Sequence, residues 1–281
     1  MKKAGNQSGQ VVLITLLVLT IATTVALSLI SRTTTDTTIT AQVEESSRAF
    51  SAAEAGIEEA LKSGVGTNGT QVLTPGVSYA VSVASIGNAI GMYEFPKKTL
   101  KGITETLWLV AHDASGVPVI VPTYTAPSIG LCWSTDTVVP AMVVTVLYKE
   151  SSDNSYRVVK AAFDPDTLRS PPNQFDQAYT PGGCGGNTNT TYKETITFSA
   201  LNATINPATD TIIALRIRPV YNDTKIVIDS GAALLPLQGN RIVSTGSTAT
   251  GTNRKIVVYQ QYRSPSTAFD AALYSQGTIS K

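Results

Sequence analysis

Val11–Ile30 reads VVLITLLVLTIATTVALSLI, twenty consecutive positions without a charged side chain. Whether that run crosses a membrane decides where the rest of the chain can work. At 1.5 Å per residue a helix of this length spans about 30 Å, the thickness of a hydrocarbon core. Thirteen of the twenty positions are Val, Leu or Ile, each contributing up to about −0.5 kcal/mol near the middle of an inserted helix. A core helix of a soluble protein would show a polar face over five turns, and this run has none. The run predicts a membrane-spanning helix that tethers everything after it.

Flanking charge sets the expected orientation. Lys2 and Lys3 precede the run, whereas Arg32 alone follows closely and Asp36 offsets it; the amino terminus is expected to stay cytoplasmic, with the body outside. A secretory signal cleaved near Ala26-Leu27-Ser28 is the competing reading, but the apolar stretch is longer than a usual signal core and the helical pattern continues beyond it. From Thr33 to Ser63 no proline interrupts. Ile39, Val43, Phe50, Ile57 and Leu61 fall within about 40° of one another on a helical wheel, with Ala53 and Ala60 flanking them. This apolar stripe is the expected helix-packing surface. Glu44/Arg48 and Glu58/Lys62 are spaced to pair across one turn. The threonines between 33 and 40 lower helix propensity and mark the expected place for fraying or a bend, and Gly64, Gly66 and Gly69 end the pattern.

Arg48-Ala49-Phe50-Ser51-Ala52-Ala53-Glu54-Ala55-Gly56 resembles the "AFxAAEAG" stretch of the PilX family of minor pilins and of related K-type pseudopilins. Ser8-Gly9 ahead of Gln10-Val11-Val12-Leu13 resembles a class III signal, in which a prepilin peptidase cuts after the glycine and leaves the apolar helix on the mature protein. The likeness covers about the first 62 residues. It implies Gly9 and Gln10 as the processing site, a prepilin peptidase and other pilin-like subunits as partners, and a structural role in a type IV pilus or a related secretion filament. One position departs from the major-pilin pattern: a glutamate four residues past the new N-terminus is here Ile14. A carboxylate in the bilayer costs roughly 2.5–3.5 kcal/mol unless paired, so its absence removes both that cost and a pairing used in subunit recruitment. A minor subunit at a filament tip fits this departure, and so does a subunit that never polymerises.

Beyond Gly69 the texture changes to β-branched residues at period two. Strands are predicted at Val77–Ala84, Glu105–Ala111, Ile129–Trp133, Ala141–Lys149, Tyr156–Phe163, Tyr192–Phe198, Thr211–Arg218, Lys225–Asp229 and Lys255–Tyr262. Turns are predicted at Ser151–Asn154 and Asn206–Asp210. The fold expected is α+β: a leader (1–9), a long transmembrane then amphipathic helix (10–63), a Gly-rich hinge (64–69), a mainly antiparallel β-sandwich (70–263) and a C-terminal tail (264–281) whose Phe269, Ala272, Leu273 and Tyr274 could dock as one helical turn. The strand at 211–218 alternates poorly and carries Arg216 and Arg218 on one face, which suggests an edge or surface strand. Ser170–Asn189 is read as a loop, either a connection tied down by a disulfide between Cys132 and Cys184 in a compartment expected to permit oxidation, or an exposed loop that touches a partner; two free buried thiols are the alternative to the disulfide.

Composition excludes several classes. With 21 basic and 20 acidic residues the net charge is +1, which gives no broad footprint for nucleic acid. Two cysteines far apart and a single histidine do not supply a metal site at a recognisable spacing, no cofactor motif occurs, and carboxylates at Asp153 and at Asp164-Pro165-Asp166 are the only weak calcium candidates. His112, the only imidazole, ends a predicted strand among structural neighbours, and no GxSxG, HExxH or Walker pattern is present. The reading is a non-enzymatic, membrane-anchored subunit. The alternatives are a permanently anchored surface adhesion or binding protein and, further off, an anchored hydrolase.

Overall fold

A computed structural model describes residues 8–135, 137–170, 172–177, 180–186, 189–201 and 204–267. The apolar set at Phe269–Tyr274 and most of the leader lie outside the described residues. One α-helix is followed by antiparallel sheets, an α+β fold with a sandwich. In chain order the elements are α1 (Ser8–Ser63), β1 (Gln71–Thr74), β2 (Val77–Gly87), β3 (Ile90–Glu94), β4 (Glu105–Trp108), β5 (Ser128–Trp133), β6 (Ala141–Lys149), β7 (Tyr156–Phe163), β8 (Thr180–Pro181), β9 (Tyr192–Thr197), β10 (Thr211–Val220), β11 (Ile226–Leu234), β12 (Leu237–Thr248) and β13 (Asn253–Gln261). The sheets have the orders β1-β2-β12-β13, β4-β10-β6-β7 and β3-β11-β5-β9-β8. The chain forms two compact units, one through Val83 and from Ile242 to Val258, the other from Ala84 to Arg241 and from Tyr259 onward.

In the first unit α1 runs without a break for 56 residues, about 84 Å. The helix is not interrupted at the threonines. Their hydroxyls donate back to carbonyls one turn earlier, Thr33 to Leu29, Thr34 to Ile30, Thr35 to Ser31 and Thr40 to Asp36, at 2.8–2.9 Å, so each satisfies its polar group within the helix. The helix stops where Gly64, at φ +74°, donates to the Ala60 carbonyl at 2.8 Å, a left-handed terminus that a Cβ would disfavour. The following segment is fastened to β2, not swinging: Thr67 donates its N–H to the Val81 carbonyl at 3.0 Å and accepts from the Val81 N–H through its hydroxyl at 2.9 Å. Arg48 pairs with Glu45 at 3.1 Å and thus bonds across three residues instead of the anticipated four.

The second unit contains the sandwich. Met142, Val144, Val146 and Tyr148 alternate into its core from β6, opposite Ile129, Leu131 and Trp133 from β5 and Ile226 and Ile228 from β11. Strands β6 and β7 occupy the residues predicted for them, and the turn between them closes through Glu150 N–H to Ser155 C=O at 2.9 Å. Asp210 fixes a second corner, its carboxylate accepting from the Ser151 N–H and hydroxyl and from the Asn206 N–H, each at 2.9 Å. Residues 70–83 and 242–258, read from the sequence as part of the sandwich, belong to the helix-bearing unit. Strand β10 is a correction of another kind: it lies between β4 and β6, in nine-residue register with β6, and is neither an edge nor a surface strand. Arg216 is buried there because its guanidinium donates to the Thr106 hydroxyl (3.3 Å) and to the carbonyls of Pro265 (2.9 Å) and Ser266 (3.2 Å).

Candidate functional site: the free and fastened faces of the N-terminal helix

The second half of α1 has one face spent inside the chain. Ala49, Ala52, Ala53, Gly56, Ile57 and Ala60 are buried: Ile57 and Ala60 against Val81, Ile242 and the flanking Tyr79, Val83, Ile256 and Val258, Gly56 against Ser244, Val81 and Tyr79, and Ala49, Ala52 and Ala53 against Gly246. These positions follow the i, i+3, i+4, i+7 rule, and nearly all are the smallest residues available. The reason is distance. A Cβ on Gly56 would stand 2.4 Å from Ser244 Oγ and 2.7 Å from Val81 Cγ2, and a Cβ on Gly246 would stand 2.0 Å from the Ala49 carbonyl oxygen and 2.6 Å from Ala53 N. Helix and strand backbones approach so closely that only glycine fits at both crossing points. The stretch quoted above as a resemblance therefore has a local physical cause: Ala49, Ala52, Ala53 and Gly56 form a seam with no side-chain thickness.

Polar contacts bracket the seam at both ends. At its upper end the turn between β12 and β13 clasps the helix, Thr250 donating to Glu45 at 2.7 Å and Arg254 Nε to Ser46 Oγ at 2.8 Å. The hydroxyls of Thr250 and Thr248 hold the Glu45 carboxyl below its usual range. At the lower end the Tyr79 hydroxyl bonds Glu59, which raises the phenol pKa.

The predicted packing stripe is divided by this arrangement. Ala53 is fully buried and Ile57 is 8% exposed, whereas Ile39, Val43, Phe50 and Leu61 are 53%, 63%, 47% and 45% exposed. On the helical wheel the seam is centred about a quarter turn from the stripe. Within the chain, then, the helix uses its small face and leaves its large apolar face outward. Toward the N-terminus the exposure is complete: from Gln10 to Glu44 every described residue of α1 is exposed, including Val11–Ile30. By length and composition this helix can cross a membrane. Gly9 and Gln10, the predicted processing site, lie in its first turn.

The disulfide is present. Cys132 on β5 and Cys184 are bonded, with Cα atoms 5.7 Å apart across a separation of 52 residues. Around it Gly182 N–H donates to Thr191 C=O and Cys184 N–H to Thr190 Oγ1, while β8 pairs with β9. The described part of Ser170–Asn189 is thus a stapled connection. Beside it Lys193 and Asp229 pair at 2.7 Å, and the ammonium lowers the Asp229 carboxyl pKa.

Neither calcium candidate is an open ligand set. Asp164 is fully buried, its oxygens taken by Arg169 (2.9 and 3.1 Å), Asn173 (2.7 Å) and the Asp166 N–H (3.0 Å). Asp153 accepts from Ser155 and Arg157, which lowers its pKa to about 2. Among the described residues no group of three or more His, Cys, Asp or Glu converges. His112 stacks on Tyr262 with ring centres 3.8 Å apart and meets Trp108 edge-on at 4.8 Å. Sequence reading missed the seam partners in β12, because Ser244 and Gly246 carry no hydrophobic signal; the spacing of small residues at 49, 52, 53, 56 and 60 was the available clue. Comparison with family models, curated proteins and solved structures gives no match for this chain.

Proposed function

We propose that the chain is a minor pilin-like or pseudopilin-like subunit of a type IV pilus or related secretion filament, held in the membrane by α1 with its amino terminus cytoplasmic until it packs beside the helices of other subunits. The observation that carries the reading is the division of α1 into a fastened small-residue face and an unfastened apolar one. From Gln10 to Glu44 the helix has no partner within the described chain, and Phe50 and Leu61 continue that free surface beside the seam. A lipid bilayer accounts for Val11–Ile30; it does not account for Ile39, Val43, Phe50 and Leu61, which lie beyond one hydrocarbon thickness and suit a neighbouring helix. Gly9-Gln10 is the proposed cut for a prepilin peptidase, and the β-sheet portion works outside the membrane without catalysis.

Ile14 favours one rival, a permanently anchored surface protein for adhesion or binding that never polymerises, since no carboxylate is present there to recruit a second helix. Mass spectrometry of the mature N-terminus in the native host separates the two. A chain beginning at Gln10, with a Gly9 variant of bulky side chain retaining the leader, is the expected result. An intact Met1 on all surface-exposed protein would overturn the filament reading in favour of the anchor.

A further inference from the structure

Four buried side-chain polar atoms among the described residues lack a hydrogen-bond partner, and three of them share one cluster: His112 Nδ1, His112 Nε2 and Trp108 Nε1. Native proteins leave few such groups, and each calls for a reason. The cluster sits on the outer face of the β4-β10-β6-β7 sheet, where Trp108, Ala214 and Leu147 stand side by side in register and Val110, Ile213 and Tyr262 pack with them. Tyr262 is also where the chain leaves β13 to cross this face. Its N–H donates to Gln238 C=O at 3.3 Å, Pro265 and Ser266 give their carbonyls to Arg216 in the next row, and the Thr267 hydroxyl accepts from Thr104 N–H at 3.2 Å.

We propose that Tyr262–Thr267 is a strap over the outer face of this sheet, and that His112 is its proton-operated catch: a neutral imidazole holds Tyr262 down and an imidazolium releases it. Neutral imidazole can stack on a phenol ring with its nitrogens dry at modest cost. An imidazolium has two charged donors, and burying charged donors without acceptors costs more than burying neutral ones. Cation–π attraction from the Tyr262 ring offsets part of this cost. Burial accordingly lowers the His112 pKa.

Among the described residues, no packed element supplies a counter-charge that reverses this balance. Asp113 favours the proton, but less than burial opposes it, and its Oδ1 is taken by the N–H groups of Ser115 and Val117. The Tyr262 phenol is shifted upward by burial and stays neutral across this range. Arg263, next along the strap, is exposed, and Val110, Ile213, Ala214 and Leu147 carry no charge. The sign follows. A group whose pKa is depressed in the closed state stabilises the open state as pH falls through the ordinary imidazole range, and the loss levels off below the depressed value.

The chain has a single histidine, so its titration is read without ambiguity. In full-length protein in detergent, hydrogen exchange of the peptide covering 259–267, corrected for intrinsic rates, should show strap protection falling about threefold between pH 7.5 and 5 for each half-unit of pKa difference between the closed and open states. His112→Phe, which keeps a ring without a proton, should abolish the pH response; Tyr262→Ala should leave the strap open at both pH values. If His112→Phe does not fold, the wild-type imidazole signals followed by NMR decide instead. A His112 pKa at or above its ordinary value, strap protection equal at both pH values, or a response that survives in His112→Phe would each overturn the catch.

Discussion

The helix seam and the sandwich core bury their residues by opposite means. The sandwich fills its interior with Trp133, Tyr124, Tyr148, Phe95 and Phe198, all less than 2% exposed, and close packing there depends on side-chain volume. The seam reaches the same dryness with Ala49, Ala52, Ala53, Gly56 and Gly246, where packing depends on the absence of volume. The sandwich is therefore intolerant of smaller residues and the seam of larger ones. One consequence is that a helix docked through its smallest face leaves its large side chains, Ile39, Val43, Phe50 and Leu61, uncovered within the chain.

The largest test of this contrast removes volume from the sandwich. Trp133→Ala deletes a fully buried indole together with its bond from Nε1 to the Pro140 carbonyl at 3.0 Å, and should cost about 3–5 kcal/mol, measured by denaturant unfolding followed through near-UV circular dichroism. The converse test adds volume to the seam. Gly246 has an ordinary φ, so space alone reserves it for glycine, and Gly246→Val drives a side chain into the Ala49 carbonyl and the Ala53 nitrogen. A loss of about 1–3 kcal/mol is expected, seen as reduced hydrogen-exchange protection over Ala49–Ala60; equal protection in variant and wild type would show that the seam is looser than its geometry. The smallest effect sharpens the comparison within the seam itself. Ser244 Oγ is buried without a hydrogen-bond partner, so Ser244→Ala should be neutral or stabilise by up to about 1 kcal/mol, a rare case where trimming a buried residue does no harm.

What was legible in the sequence follows the same division. Strands β6 and β7 declare themselves by alternating large apolar side chains, and both were located to the residue. Strand β12, at 12 residues the longest strand among the described residues, escaped detection because its buried positions are Gln238, Gly239, Ile242, Ser244, Gly246 and Thr248, which over its second half is an alternation of burial without an alternation of hydrophobicity. The large apolar residues of α1 line up in one stripe that the sequence displays by size, but the face buried within the chain is a different one, where closeness of approach is the deciding quantity. Arg216 was misplaced for a related reason: a charged side chain in a strand reads as exposed until the carbonyls that receive it, Pro265 and Ser266, are brought across from fifty residues away. The disulfide was inferable from compartment and loop length, since both constrain the chain without reference to packing.

The clasp at Glu45 and Ser46 gives the protein a defined point of load transfer. A pull on the apolar end of α1 would pass through about 50 Å of helix that is exposed along its whole length, Gln10 to Glu44, before it reached Thr250 and Arg254. These two side-chain bonds and the Gly246 crossing at Ala49 and Ala53 fall within nine residues of one another on the helix, so such a load would arrive at all of them together.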